Sequence, residues 1–141
     1  MTFSVFFSFD GNCKEALEFY AGVFGQPVNN LMTYAQSPPM PGYTLAEADR
    51  DRIMYASMNI CGCEVMFMDM PAGEPAVVKG NQVCVAIESK DREEVERYFG
   101  GLAQGGVIAM ELQKTFWSEL NGMVADKFGI HWNVCQSAPK A

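Results

Sequence analysis

Twice along the chain, a short run rich in aromatic and β-branched residues gives way to apolar positions at i, i+3, i+4 and i+7. That spacing lines one face of an α-helix. The first run spans Phe3 to Phe9, and its helix carries Ala16, Phe19, Tyr20 and Val23. The second spans Val83 to Ile87, and its helix carries Val95, Tyr98, Phe99 and Leu102, so the two helices repeat at an offset of 79 residues. Asn12 and Asp91 suit the N-cap positions, with Glu15 and Glu94 placed as capping-box partners and Gly25 and Gly105-Gly106 near the helix ends. Three further strands are predicted in each half. In the first they are Pro27 to Tyr34, Ile53 to Ile60 and Glu64 to Met68, the last two joined by a tight turn at Cys61-Gly62. In the second they are Val107 to Leu112, Met123 to Ala125 and Ile130 to Cys135, the last following a turn over Asp126 to Gly129.

The order is βαβββ twice, an α+β fold, with a proline-rich loop over Gln36 to Arg52. The pattern divides a single domain into module one (1–70), a linker (71–80), module two (81–136) and a tail (137–141). Neither module alone covers both faces of a four-stranded sheet, so the sheets are expected to combine into one curved cup with the helices outside. Side chains alternate along a strand, and the repeat offset sets Phe3, Val5 and Phe7 with Gln82, Cys84 and Ala86 on the cup face, with Phe6 and Val85 on the other. Aligning Cys61-Gly62-Cys63 with Phe128-Gly129-Ile130 makes Met66 the counterpart of Asn133. Met66 and Met68 then share one face, as do His131, Asn133 and Cys135. The result is a largely apolar cavity with a few polar anchors, the usual make-up of a small-ligand pocket.

Composition narrows the functions this fold could serve. Of 141 residues, 49% are hydrophobic and 19% charged, which excludes a disordered chain. Seventeen acidic against ten basic side chains, a net charge of -7 with no Lys/Arg run, lack the footprint of a nucleic-acid or anionic-membrane binder. No signal-peptide pattern opens the chain and no run of about 18 apolar residues occurs, so a cytoplasmic protein is expected. Five scattered cysteines suit reduced core thiols. Cys61 and Cys63 could begin a zinc site, but no second ligand pair completes it, and a hairpin glycine accounts for the spacing equally well.

The segments Phe9-Asp10-Gly11-Asn12-Cys13-Lys14-Glu15-Ala16-Leu17-Glu18-Phe19-Tyr20, Thr115-Phe116-Trp117 and Val124-Ala125-Asp126-Lys127-Phe128-Gly129-Ile130-His131-Trp132 resemble the PhnB-like branch of the vicinal oxygen chelate superfamily. That superfamily includes glyoxalase I, bleomycin-resistance proteins and extradiol dioxygenases. The resemblance implies paired βαβββ modules, commonly assembled as homodimers. Some relatives carry a 3-demethylubiquinone methyltransferase label, but no glycine-rich strand-to-helix loop that would cradle S-adenosylmethionine is present. Metal-dependent relatives hold a divalent ion with four inward His or Glu residues. Those positions fall here on Val5 (or Ser4), Met66, Gln82 (or Cys84) and Asn133, none of them a His or carboxylate, so neither a metal nor another cofactor is expected.

The candidate site residues follow from these faces. Histidine is the side chain that titrates near neutrality, and the single one here, His131, is a candidate general base or anion partner; otherwise it is a partly exposed strand residue. Gln82 and Asn133 could hydrogen-bond a ligand or satisfy one another, and Phe7, Met66, Met68 and Trp117 could line an apolar site or form core. Cys13, at a helix start, and Cys84 are candidate nucleophiles or packing residues. Asp69 and Glu74 lie near the linker. The expectation is a small organic molecule bound in an apolar cavity, with acid/base turnover at His131 as one reading and non-catalytic sequestration as another. A metal-dependent lyase or dioxygenase is a further alternative.

Overall fold

The structure, a computed structural model, describes residues 1–72 and 75–137; Glu74 lies outside them. It contains two compact units, Met1–Val78 and Lys79–Ala141. The first holds β1 (Val5–Phe9), α1 (Cys13–Phe24), β2 (Asn29–Thr33), β3 (Ile53–Ile60) and β4 (Cys63–Asp69). The second holds β5 (Val85–Ser89), α2 (Arg92–Ala103), β6 (Val107–Gln113), β7 (Leu120–Ala125) and β8 (His131–Gln136). Each unit is therefore a βαβββ module, and its four strands form one mixed sheet, in the order β1-β4-β3-β2 in the first and β5-β8-β7-β6 in the second. The first strand of each module lies parallel to the last, while the remaining pairs are antiparallel.

Within each unit the helix covers one sheet face. The Tyr20 ring on α1 sits 6.1 Å from that of Phe7 and 5.8 Å from that of Phe67, and Phe7 meets Phe67 edge-on at 5.6 Å. Such edge contacts add about 1 kcal/mol each beyond the area buried. In the second unit Phe99 of α2 lies so close to Gly122 that an added Cβ would come within 2.7 Å of its ring. The faces covered by the helices carry Phe7, Phe9, Val65 and Phe67 in one unit and Ile87, Val124, Trp132 and Val134 in the other, all buried.

This burial reverses the expected facing of the first strands. Phe7 packs against the helix, and it is Phe6 that lies on the opposite face. The helices do repeat at 79 residues, since Tyr20 and Phe99 are equivalent and buried, but β1 and β5 repeat at 80, Val5 matching Val85. The difference is one residue in the turn before the helix: three residues, 10–12, separate β1 from α1, whereas two, 90 and 91, separate β5 from α2. A shift of one residue exchanges the two faces of a strand. Gln82 is displaced further, lying in a bend before β5 begins.

The helix starts also differ from expectation. Asn12 makes no side-chain cap; instead the buried Asp69 carboxylate at the end of β4 accepts from Gly11 N (2.8 Å) and Cys13 N (3.0 Å) and, through its other oxygen, from Ile53 N (2.9 Å). Asp91 does cap α2, accepting from Glu93 N. Glu94 turns to the Ser89 hydroxyl (2.5 Å) and the Tyr98 phenol (2.8 Å), which hold its carboxyl below the usual range.

Candidate functional site

The uncovered face of each sheet collects the polar and polarizable side chains, and strand register states which of them are neighbours. In the first unit one rung reads Phe6, Met66, Ser57, Asn29 across the four strands. Met68 and Ser8 share the next rung, and Tyr55 lies on the same face with its ring 6.4 Å from that of Phe6. Met66 and Met68 thus do share an uncovered face. β2 is irregular here: between Asn29 and Met32 the register shifts, and Asn30 adopts a φ of 55°. The bulge brings its carboxamide to Ser57, Nδ2 donating to Ser57 Oγ at 3.1 Å.

In the second unit three rungs are formed. His131 lies beside Ala125 and Val107; Ala86, Asn133, Met123 and Met110 form the next; Glu88, Cys135, Asn121 and Gln113 form the third. His131 and Asn133 share a face one rung apart, about 7 Å along the strand. Among the described residues no hydrogen bond or ion pair orients the imidazole. Asn121 is 2% exposed, and its Oδ1 has no hydrogen-bond partner there. The strand predicted from Met123 to Ala125 starts three residues earlier, at Leu120, and alternation carried back from Met123 puts Asn121 on this face.

The remaining candidates do not join these faces. Trp117 lies in the loop between β6 and β7, 55% exposed, its ring edge-on to that of Phe116 at 4.7 Å. Cys13 is fully buried; that burial first, and the Asp69 carboxylate second, push its thiol up to about 12. The Cys84 thiol is also raised by desolvation, so neither cysteine is an activated nucleophile. Asp69, besides its three N–H donors, receives the Tyr34 hydroxyl on its main-chain oxygen at 2.8 Å, a clamp with no acceptor left exposed. Asp126 plays the corresponding part in the other unit, accepting from Phe128 N, Ile130 N and the Trp132 indole. The late Asp-x-Phe-Gly-x-x-Trp motif is thereby accounted for as a turn fastened to a buried tryptophan.

Each unit, taken by itself, can be checked for divalent-ion donors in the corrected register. The rung partners on the first and last strands are Phe6 with Met66 and Ala86 with Asn133. A phenyl, a thioether, a methyl and a neutral amide do not fit a hard or borderline cation. Among the described residues no three His, Cys, Asp or Glu side chains converge.

Comparison with known proteins places these modules. The profile of the family described as 3-demethylubiquinone-9 3-methyltransferase matches residues 1–135. Protein YjdN of Escherichia coli (strain K12) is 30% identical over 148 residues, covering 99% of each chain. The crystal structure of PA1353 from Pseudomonas aeruginosa is 29% identical with a TM-score of 0.84, covering 97% of this chain and 98% of that one. A Bacillus cereus structure described as a putative 3-demethylubiquinone-9 3-methyltransferase, PhnB protein, is 23% identical with a TM-score of 0.76, covering 97% of this chain and 100% of its own.

Proposed function

Because the chain belongs to the 3-demethylubiquinone-9 3-methyltransferase family, the PhnB-like branch of the vicinal oxygen chelate superfamily, we propose that it holds a small organic molecule, without a divalent cation, on the face of its second sheet opposite α2. The observation that carries this reading is the Asn121 carboxamide. A buried carbonyl left without a donor costs about 1–3 kcal/mol, and an N–H or O–H of a bound molecule would answer it. Asn133 on the adjacent rung offers a second amide, and Met110 and Met123 offer adaptable apolar contact. Native mass spectrometry of protein purified from its host tests the idea. The wild-type chain should carry a small adduct that denaturation releases and Asn121→Leu should not. No adduct on wild type, or an equal adduct on both, refutes the proposal.

A second reading, acid/base turnover, is favoured by His131 sharing that face with Asn133. Gln82, in the bend before β5, is not on that face, which leaves the two asparagines, Asn133 and Asn121. With any identified substrate, His131→Ala separates the readings: full turnover removes the histidine mechanism. The methyl transfer named in the family label is not part of the proposal. Some of the main-chain N–H groups at the helix starts, where a donor's anionic group would seat, are engaged: Gly11 and Cys13 donate to Asp69 in one unit, and Asp91 and Glu93 to Ser89 and Asp91 in the other. Assembly as a homodimer, as in the family, is proposed alongside.

A further inference from the structure

The connection between β2 and β3 lines a half-open cavity of about 210 Å³ that shares no lining residue with the two sheet faces described above. Tyr34, Pro38, Pro39, Met40, Tyr43 and Leu45 supply most of its wall. The wall is built rather than loose. Tyr34 N and Ala35 N donate to Arg52 O (3.0 Å) and Arg50 O (3.1 Å), and the Tyr34 hydroxyl is tied to Asp69 O. Met40 and Tyr43 are brought together by a turn closed by Tyr43 N donating to Met40 O at 3.2 Å. Pro41 and Gly42, the latter with a φ of 76°, are the residues a type II turn requires at its centre. Three prolines stiffen the loop, so little ordering remains to be done when the cavity fills.

The chemistry of the wall selects an occupant. Its two tyrosines lie at different depths, Tyr34 5% and Tyr43 37% exposed, and a tyrosine ring has an electron-rich face. The lining contains no lysine, arginine or carboxylate, which disfavours an anion, a bare metal ion and a primary ammonium with three donors to satisfy. Residues 1–78 carry nine acidic and three basic side chains, a charge of -6 out of the chain's -7, so the surrounding field attracts cations. The nearby Arg52 guanidinium is engaged by Asp10 (3.1 Å), Asp49 (3.5 Å) and Met70 O (2.7 Å). Burial first, then Tyr43, Asp69 and Asp49, push the Tyr34 phenol up, with Arg52 opposing them. A cavity of about 150 Å³ is known to accept a benzene ring, so the space suffices for a group of this size.

We propose that this loop cavity is a binding site for a small methylated ammonium cation of choline size, held against the faces of Tyr34 and Tyr43 by cation–π attraction. It is independent of the molecule assigned to the second sheet. The test uses protein labelled with ¹³C in its methionine methyls, titrated with choline and, separately, with the neutral isostere 3,3-dimethylbutan-1-ol, following the Met40 resonance. Choline should shift it saturably, with the neutral alcohol at least tenfold weaker. Tyr43→Leu should abolish the shift, Tyr43→Phe should preserve it, and Asn121→Leu should bind choline as wild type does. Equal binding of the two probes, no choline shift, or full binding by Tyr43→Leu would each overturn the proposal. Should Tyr43→Leu fail to fold, the isostere comparison and Tyr43→Phe decide alone.

Discussion

Asp69 and Asp126 each turn a carboxylate inward and give it three N–H donors, so two of the few buried charges in the chain serve chain geometry rather than reaction chemistry. Replacing Asp69 by asparagine puts an NH₂ where an acceptor is needed. It should cost about 3 kcal/mol, read as a lowered denaturation midpoint at unchanged m. Cys13 makes the opposite point about a motif residue. Its thiol is neutral in the folded chain up to about 12, whereas the unfolded thiol ionises near 9.0. Between those values the unfolded chain holds fewer protons, so the stability this thiol contributes is complete below pH 9 and is lost as pH climbs toward 12. Cys13→Ala should flatten that alkaline decline, leaving a smaller part due to Tyr34 and Cys84, whose ionisation is also raised. At neutral pH, iodoacetamide should label the exposed Cys61, Cys63 and Cys84 but reach Cys13 only after unfolding.

The helices and the β3–β4 hairpin were legible in the chain itself, because their signals are local. Periodicity marks α1 and α2, and Ile53–Ile60 forms a strand with the expected bounds. The hairpin turn is the expected Cys61-Gly62, and both residues have positive φ, 51° and 83°, as a type I′ turn demands. Glycine takes that conformation freely, but cysteine does so at a cost of about 1–2 kcal/mol. Cys61→Gly or Cys61→Asn should therefore raise stability by about 1 kcal/mol, measured by thermal unfolding at pH 7. First-strand facing was not legible. It depends on a single extra residue in the β1–α1 turn, which a repeat counted from the helices hides. The bulge that aims Asn30 at Ser57 was equally silent, since strand pairing alone defines it.

For the whole molecule, two measurements follow from the proposed function. Elemental analysis of protein prepared without chelators should find well under one divalent ion per chain, because the rungs Phe6/Met66 and Ala86/Asn133 present no anionic or imidazole donor. Sedimentation should give twice the 15.6 kDa of a single chain, as the proposed homodimer requires. The order of elements, the twofold βαβββ repeat and the helix stripes were determined by the sequence alone, because each rests on residue identity and local spacing, compared between the two halves. Tertiary structure alone decided which residues share a rung, which oxygen satisfies which N–H, and that the buried Asn121 Oδ1 has no hydrogen-bond partner among the described residues. Those facts depend on strands far apart in the chain meeting in one register, and a one-residue difference in a turn is enough to exchange the two faces of a strand.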